Sequence, residues 1–205
     1  MVKLTIDGIQ VEAEKGTSIL HAAESVGIKI PTLCYIKDLL PDGSCRMCMV
    51  EIESRGRTKM ETACTAQVAE GLVVTTNSEK VRNARRNVLD MLLSNHKTDC
   101  FSCRANGDCK LQELCFEYGI ERTTYSGEQT ELPIDDSNKF FTYNPNLCIL
   151  CHRCVNTCHK IVGRGAIDTM ERGFDSTIGT PFHVDWIDTT CESCGNCVQA
   201  CPTGA

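Results

Sequence analysis

Aromatic residues make up only 5% of the 205 residues, and basic residues are outnumbered 21 to 27 by acidic ones, for a net charge of −6. A chain short of positive charge lacks the electrostatic footprint of a nucleic-acid binder. No apolar run approaches the roughly 20 residues that a membrane-spanning helix needs. No apolar signal segment follows Met1; the chain enters an alternating pattern at once, Val2-Lys3-Leu4-Thr5-Ile6. A reducing, cytoplasmic setting is therefore expected. Also missing is the Gly-rich fingerprint of a dinucleotide site. The scarcity of large apolar side chains argues against one extensive core and for several small modules, each needing a staple.

What the chain has in quantity is cysteine: 16 residues. Disulfides are one use for them, but a reducing compartment favours thiolates held by metal. Two runs of the form C-x2-C-x2-C-x3-C dominate, Cys148, Cys151, Cys154 and Cys158, then Cys191, Cys194, Cys197 and Cys201. Three thiolates two residues apart can curl round three corners of a cubane, while the fourth, a helical step on, points to the other cluster. One 4Fe–4S cluster would then take Cys148, Cys151, Cys154 and Cys201, and a second Cys191, Cys194, Cys197 and Cys158. Zinc is the competing reading, since paired C-x2-C also suits a tetrahedral site.

Upstream, Val2–Ile6 and Ile9–Ala13 flank Asp7–Gly8 and predict a hairpin. Thr17–Ser18 offers an N-cap for a helix to Ser25, stopped by Gly27. A hairpin and one crossing helix begin a β-grasp domain, closed by a strand at Leu72–Thr76. Cys34, Cys45, Cys48 and Cys64 fall within it, spaced C-x10-C-x2-C-x15-C. Four thiolates on that scaffold imply a 2Fe–2S cluster. In the loop Asp42–Cys48, Gly and small residues let amides approach sulfur.

Ser78 can cap a helix from Glu79 to about Asn95, with Val81, Ala84, Val88, Met91 and Leu92 on its buried face and Arg82, Arg85 and Arg86 on a solvated one. Past it lie His96, Cys100, Cys103 and Cys109, or H-x3-C-x2-C-x5-C. Three thiolates one ligand short of a cluster make the imidazole the expected fourth. Cys115 is the rival; it lies about 9 Å along a helix from Cys109 and reads as packing with Leu111, Leu114 and Tyr118. Residues 119–138 form a polar connection of the kind that is functional or lies across a partner. Lys139–Tyr143 reads as a strand leading into a ferredoxin-like β-α-β repeat, interrupted by an insertion from Arg164 to Asp188 with a hairpin at Arg172-Gly173-Phe174. His152, His159 and His183 are expected to be structural or surface residues.

Read in order, these motifs resemble the iron–sulfur N-terminal region shared by iron-only hydrogenases, the large complex I iron–sulfur subunit and NAD-linked formate dehydrogenase α subunits. The C-x10-C-x2-C spacing, His96 with its three Cys, Cys109-Lys110-Leu111-Gln112-Glu113-Leu114, Cys148-Ile149-Leu150-Cys151 and Arg172-Gly173-Phe174-Asp175-Ser176-Thr177-Ile178-Gly179-Thr180-Pro181-Phe182 carry the likeness. The order is also similar to stand-alone small subunits of soluble NAD(P)-reducing or bifurcating hydrogenases, and a chain stopping at Ala205 is expected to be one. The resemblance implies an α+β protein with a 2Fe–2S β-grasp domain at 1–78, a helical His–Cys 4Fe–4S segment at 79–118, a linker at 119–138 and a two-cluster domain at 139–205. It further implies one 2Fe–2S and three 4Fe–4S clusters, no catalytic site, and electron transfer between a flavin/NAD(P)H subunit and a hydrogenase or formate dehydrogenase. A structural zinc-binding assembly protein is the alternative.

Overall fold

The computed structural model describes residues 1–205 as a mixed α+β chain in two compact units, Met1–Leu89 and Asp90–Ala205. In the first, β1 (Val2–Ile6) and β2 (Ile9–Ala13) pair antiparallel across the Asp7–Gly8 turn. Both turn residues are left-handed, at φ 48° and 83°, the geometry whose twist matches a two-residue hairpin. Helix α1 (Ile19–Ser25) starts where the Ser18 hydroxyl accepts the His21 N–H, 3.3 Å away. Gly27, at φ 79°, ends the segment. A second hairpin joins β3 (Met49–Ser54) to β4 (Arg57–Thr62) through left-handed Arg55 and Gly56.

Strand β5 (Val73–Thr75) closes the sheet in the order β2-β1-β5-β3-β4. It runs parallel to β1 and antiparallel to β3. Alternation puts Leu4, Ile6, Val11, Val50, Ile52 and Val74 on one face, in a single core with Ile19, Leu20, Ala22 and Ala23 of α1. Each such aliphatic side chain contributes roughly 1.5–3 kcal/mol by leaving water. The Asp7 carboxylate, beyond the hairpin turn, accepts the Thr76 amide and hydroxyl at 2.7 and 2.5 Å and fixes the end of β5.

Helix α2 (Glu79–Ser94) begins at Ser78, whose hydroxyl accepts the Val81 N–H at 3.2 Å. Its most buried positions up to the unit boundary at Leu89 are Val81, Arg85 and Leu89, one every four residues. Arg85 departs from the expected solvated face: it is 3% exposed, and its Nη2 donates to the Met49 carbonyl at 2.8 Å. A guanidinium can be buried where it finds acceptors, and a backbone carbonyl is one. Met91, expected inside, is 54% exposed.

In the second unit, α3 (Lys110–Glu117) buries Leu111, Leu114 and Cys115 as its spacing predicts. The polar connection after it is fastened by side chains. The Asp90 carboxylate holds the Thr123 hydroxyl and the Thr124 amide and hydroxyl at 2.5–2.8 Å. Asn95 and Asn146 hold Thr130 and Leu132. Lys139–Tyr143 is not a strand. Only Tyr143 pairs, with Asp135, while the Asn138 side chain turns back to the Phe140 amide. Phe141 instead meets Trp186 edge-on and Tyr143 packs against it at a tilt. The expected insertion hairpin forms, as β6 (Asp168–Met170) against β7 (Thr177–Gly179). Helices α4 (Arg153–Asn156) and α5 (Asn196–Ala200) follow the two cysteine loops, and α4 runs on into a π-helical turn, Thr157–Val162. No helix is long and apolar enough to cross a membrane.

Candidate functional site

In the first unit, Cys34, Cys45, Cys48 and Cys64 converge from the loops around β3 and β4, all at most 7% exposed. Sulfur meets sulfur: the Cys45 thiol donates to Cys34 and the Cys64 thiol to Cys48. That bond and amide donors from Ser44 and Cys45 bring Cys34 down to about 5, while Cys45 and Cys64, as donors, are raised. The loop before Cys48 turns through left-handed Gly43 and Arg46, and the Met47 amide reaches Cys45 Sγ at 3.5 Å. Amides aimed at sulfur suit a cluster held by four thiolates, whose negative charge they stabilise.

In the second unit, Cys100, Cys103 and Cys109 approach one another closely enough that the first two raise the Cys109 thiol, after burial, which is the larger cause. His96 sits just past α2 and is 8% exposed, with Nδ1 buried and without a protein partner. Burial lowers its pKa and keeps the ring neutral, the state that can bind metal. Cys115 is pushed up to about 11, chiefly by burial and then by Cys109 and Cys100. It is thus within electrostatic reach of the three-cysteine set, although it packs among the leucines of α3.

The two C-terminal loops repeat one backbone device. Leu150 and His152 in one, Ser193 and Gly195 in the other, are left-handed at φ 50–73°. The turn aims the Leu150 amide at Cys148 Sγ, 3.3 Å away, and the Ser193 amide at Cys191 Sγ, 3.4 Å away. The Ala166 amide reaches Cys158 Sγ at 3.3 Å. Left-handed non-glycine residues cost about 1–2 kcal/mol each, so three of them at two cysteine loops mark geometry held for a purpose.

The sulfurs sort into two groups that cross the sequence. Cys148, Cys151 and Cys154 are each raised by burial first, and Cys201 raises all three as well, behind Cys148 at Cys151 and behind Cys148 and Cys151 at Cys154; Cys151 reaches about 12. Cys197 is pushed up to about 11 by burial, then by Cys191, Cys194 and Cys158. One cavity, of about 20 Å³, is lined by Cys158, Cys191, Cys194 and Cys197 with Trp186 and Ile167. A wider one, of about 890 Å³, is bordered by Cys148, Cys151, Cys154 and Cys201, and also by Cys103 and Cys197. Free thiolates crowded there would repel one another, and a multi-iron core supplies the missing positive charge. The donor set therefore fits iron–sulfur clusters.

His152, His159 and His183 have ordinary roles, contacting Thr169, the Ile167 carbonyl and Glu171. What the sequence hides are the amide donors of Met47, Leu150, Ala166 and Ser193, because a backbone N–H leaves no trace in residue identity. Left-handed glycines at Gly43 and Gly195 are the one visible signal.

Three family models match in chain order: a 2Fe-2S iron-sulfur cluster binding domain at residues 1–79, an NADH-ubiquinone oxidoreductase-G iron-sulfur binding region at 85–124 and a 4Fe-4S dicluster domain at 147–205. The chain is 44% identical over 204 residues to the NADPH-Fe(3+) oxidoreductase subunit alpha of Geobacter sulfurreducens, covering 100% of itself and 24% of that protein. It is 39% identical over 210 residues to the NADP-reducing hydrogenase subunit HndD of Solidesulfovibrio fructosivorans, again over 100% of itself and 36% of the relative. It therefore spans about a quarter to a third of these curated relatives. A solved NAD+-reducing NiFe-hydrogenase in the H2-reduced state contains a chain that superimposes with a TM-score of 0.90 at 30% identity, over 100% of this chain and 86% of that one. All three matching models describe iron–sulfur binding, which leaves the zinc reading without support. The chain belongs to the iron–sulfur family that NAD(P)-linked hydrogenases share with complex I-type NADH oxidoreductases.

Proposed function

We propose that the chain is a one-electron relay carrying one 2Fe–2S and three 4Fe–4S clusters. The 2Fe–2S ligands would be Cys34, Cys45, Cys48 and Cys64. His96, Cys100, Cys103 and Cys109 would hold one 4Fe–4S cluster. Cys148, Cys151, Cys154 and Cys201 would hold the next, and Cys191, Cys194, Cys197 and Cys158 the last. The placing of Cys158 with Cys191, Cys194 and Cys197 around one small cavity carries this reading, since the crossed ligation of a two-cluster ferredoxin accounts for that exchange. Bound clusters supply reversible one-electron chemistry. The chain's own residues bind them, aim amides at sulfur and restrict water, which together tune potential.

By the same reading the modules are a β-grasp at 1–78, a His–Cys segment at 79–118, a linker at 119–138 and a two-cluster ferredoxin-like part at 139–205. The sheet order, with β1 and β5 parallel at its centre and α1 on one face, supports the β-grasp. The partners would be a flavin subunit oxidising or reducing NAD(P)H and a hydrogenase or formate dehydrogenase, in the cytoplasm. Relatives named for NADPH-, NADP- and NAD+-linked redox reactions support the nicotinamide side. Anaerobic mixing with NAD(P)H tests this. The isolated chain should keep its oxidised visible spectrum, and the chain in its native complex should bleach. Turnover of NAD(P)H by the isolated chain with an electron acceptor would overturn the relay.

A further inference from the structure

The segment that follows Cys201 folds back onto a different set of cysteines. A Cβ at Gly204 would stand 2.6 Å from Cys103 Sγ and 3.3 Å from the Ala105 side chain. One residue pair away, the Pro202 carbonyl accepts the Lys110 amide at 2.9 Å and lies 3.7 Å from Cys109 Sγ. The Thr203 hydroxyl donates to the Leu147 carbonyl at 2.9 Å and stands 3.5 Å from Cys201 Sγ. The Asn144 amide pins the Ala205 carbonyl at 2.7 Å. Pro202, Thr203 and Ala205 are thus each held by a hydrogen bond, and the run starts at one sulfur and passes two others. Gly204 is not among the glycines with positive φ, so no backbone conformation requires glycine there. The missing side chain serves approach: any other residue would push the segment off Cys103.

We propose that Pro202–Gly204 is the electron bridge between the Cys100, Cys103 and Cys109 centre and the Cys148, Cys151, Cys154 and Cys201 centre, with Gly204 as the positioning residue that sets their separation. The inference rests on the ligand sets of the proposed function and deepens it by naming the path. Tunnelling decays steeply with the gap, and far less steeply along bonded atoms than through empty space. Here the bonded route from Cys201 leaves only a close contact to Cys103 and the 3.7 Å approach of Cys109 Sγ to the Pro202 carbonyl. In each passage one side is oxidised by one electron and the other reduced by it. No bond forms or breaks and no proton moves. The electron originates in a nicotinamide-linked reductant, or in dithionite for the test.

The test uses the full chain, purified anaerobically with iron counted, fully reduced with dithionite and read by EPR. In the parent, the two centres should broaden each other's signals and speed each other's relaxation. Gly204→Ala should keep the iron count and the 2Fe–2S signal while this mutual broadening weakens. A variant with full iron and unchanged broadening overturns the bridge. Where Gly204→Ala loses iron, Thr203→Val decides, because it releases the Leu147 clamp without adding volume at Cys103. Weakened broadening then supports the bridge, and unchanged broadening overturns it. A parent chain short of iron would be visible before any variant is made, and it would overturn the ligand sets and the bridge with them.

Discussion

His96 and Cys115 compete for one role, and their surroundings separate them. His96 presents a buried nitrogen with no protein partner, whereas Cys115 lies on the apolar side of α3 beside Leu111 and Leu114. An unsatisfied buried polar atom costs about 1–3 kcal/mol, which a metal bond offsets. Cys115→Ala should therefore keep every cluster and cost roughly 1 kcal/mol of stability. His96→Ala should lose one 4Fe–4S signal by EPR. The reverse pattern would make Cys115 the ligand. Arg85 supplies a second residue-scale test. Replacing it with Met leaves the Met49 carbonyl without its buried donor, and about 2 kcal/mol should be lost, read as a lower midpoint in thermal unfolding of the anaerobic protein. An unchanged midpoint would mean that the guanidinium contributes packing alone. The sequence placed Arg85 on a solvated face because three arginines on one helix ordinarily stay wet. A lone carbonyl acceptor on a distant strand is invisible in the chain's pattern.

Among elements, those set by local chemistry were legible and those set by distant partners were not. The Asp7–Gly8 hairpin, the Ser18 and Ser78 caps and the packed face of α3 follow from neighbours in sequence. Strand β3 had a readable signal in alternating Val50 and Ile52, yet its place between β5 and β4 depends on pairing across the sheet. Lys139–Tyr143 has a strand's alternation and no strand, because only one residue finds a backbone partner. The connection after α3 depends on Asp90, whose carboxylate is held below the usual range chiefly by the Thr124 hydroxyl and amide. A carboxyl with a depressed folded pKa stabilises fully above its unfolded value of about 3.9, and that stabilisation is lost as pH falls through the lower folded value. The exchange protection factor at Thr124 should therefore hold at neutral pH and fall only under strong acid, and Asp90→Asn should lower it at neutral pH. Equal protection in parent and variant would dismiss the carboxylate as the fastener.

For the whole molecule, the proposed cysteine ligand sets come from spacing, and the structure adds what spacing cannot carry. Cys201 keeps company with Cys148, Cys151 and Cys154, and Cys158 with Cys191, Cys194 and Cys197, across more than thirty intervening residues. The amides that face sulfur depend on left-handed turns at Leu150 and Ser193, residues whose identities do not announce them. Iron and acid-labile sulfide analysis of the anaerobically purified chain, joined to EPR of its reduced form, decides whether these thiolates hold iron. About 14 iron atoms per chain are expected, with one 2Fe–2S and three 4Fe–4S signals. A folded, colourless chain holding zinc, or one that stays markedly short of that iron after reconstitution, would contradict that assignment.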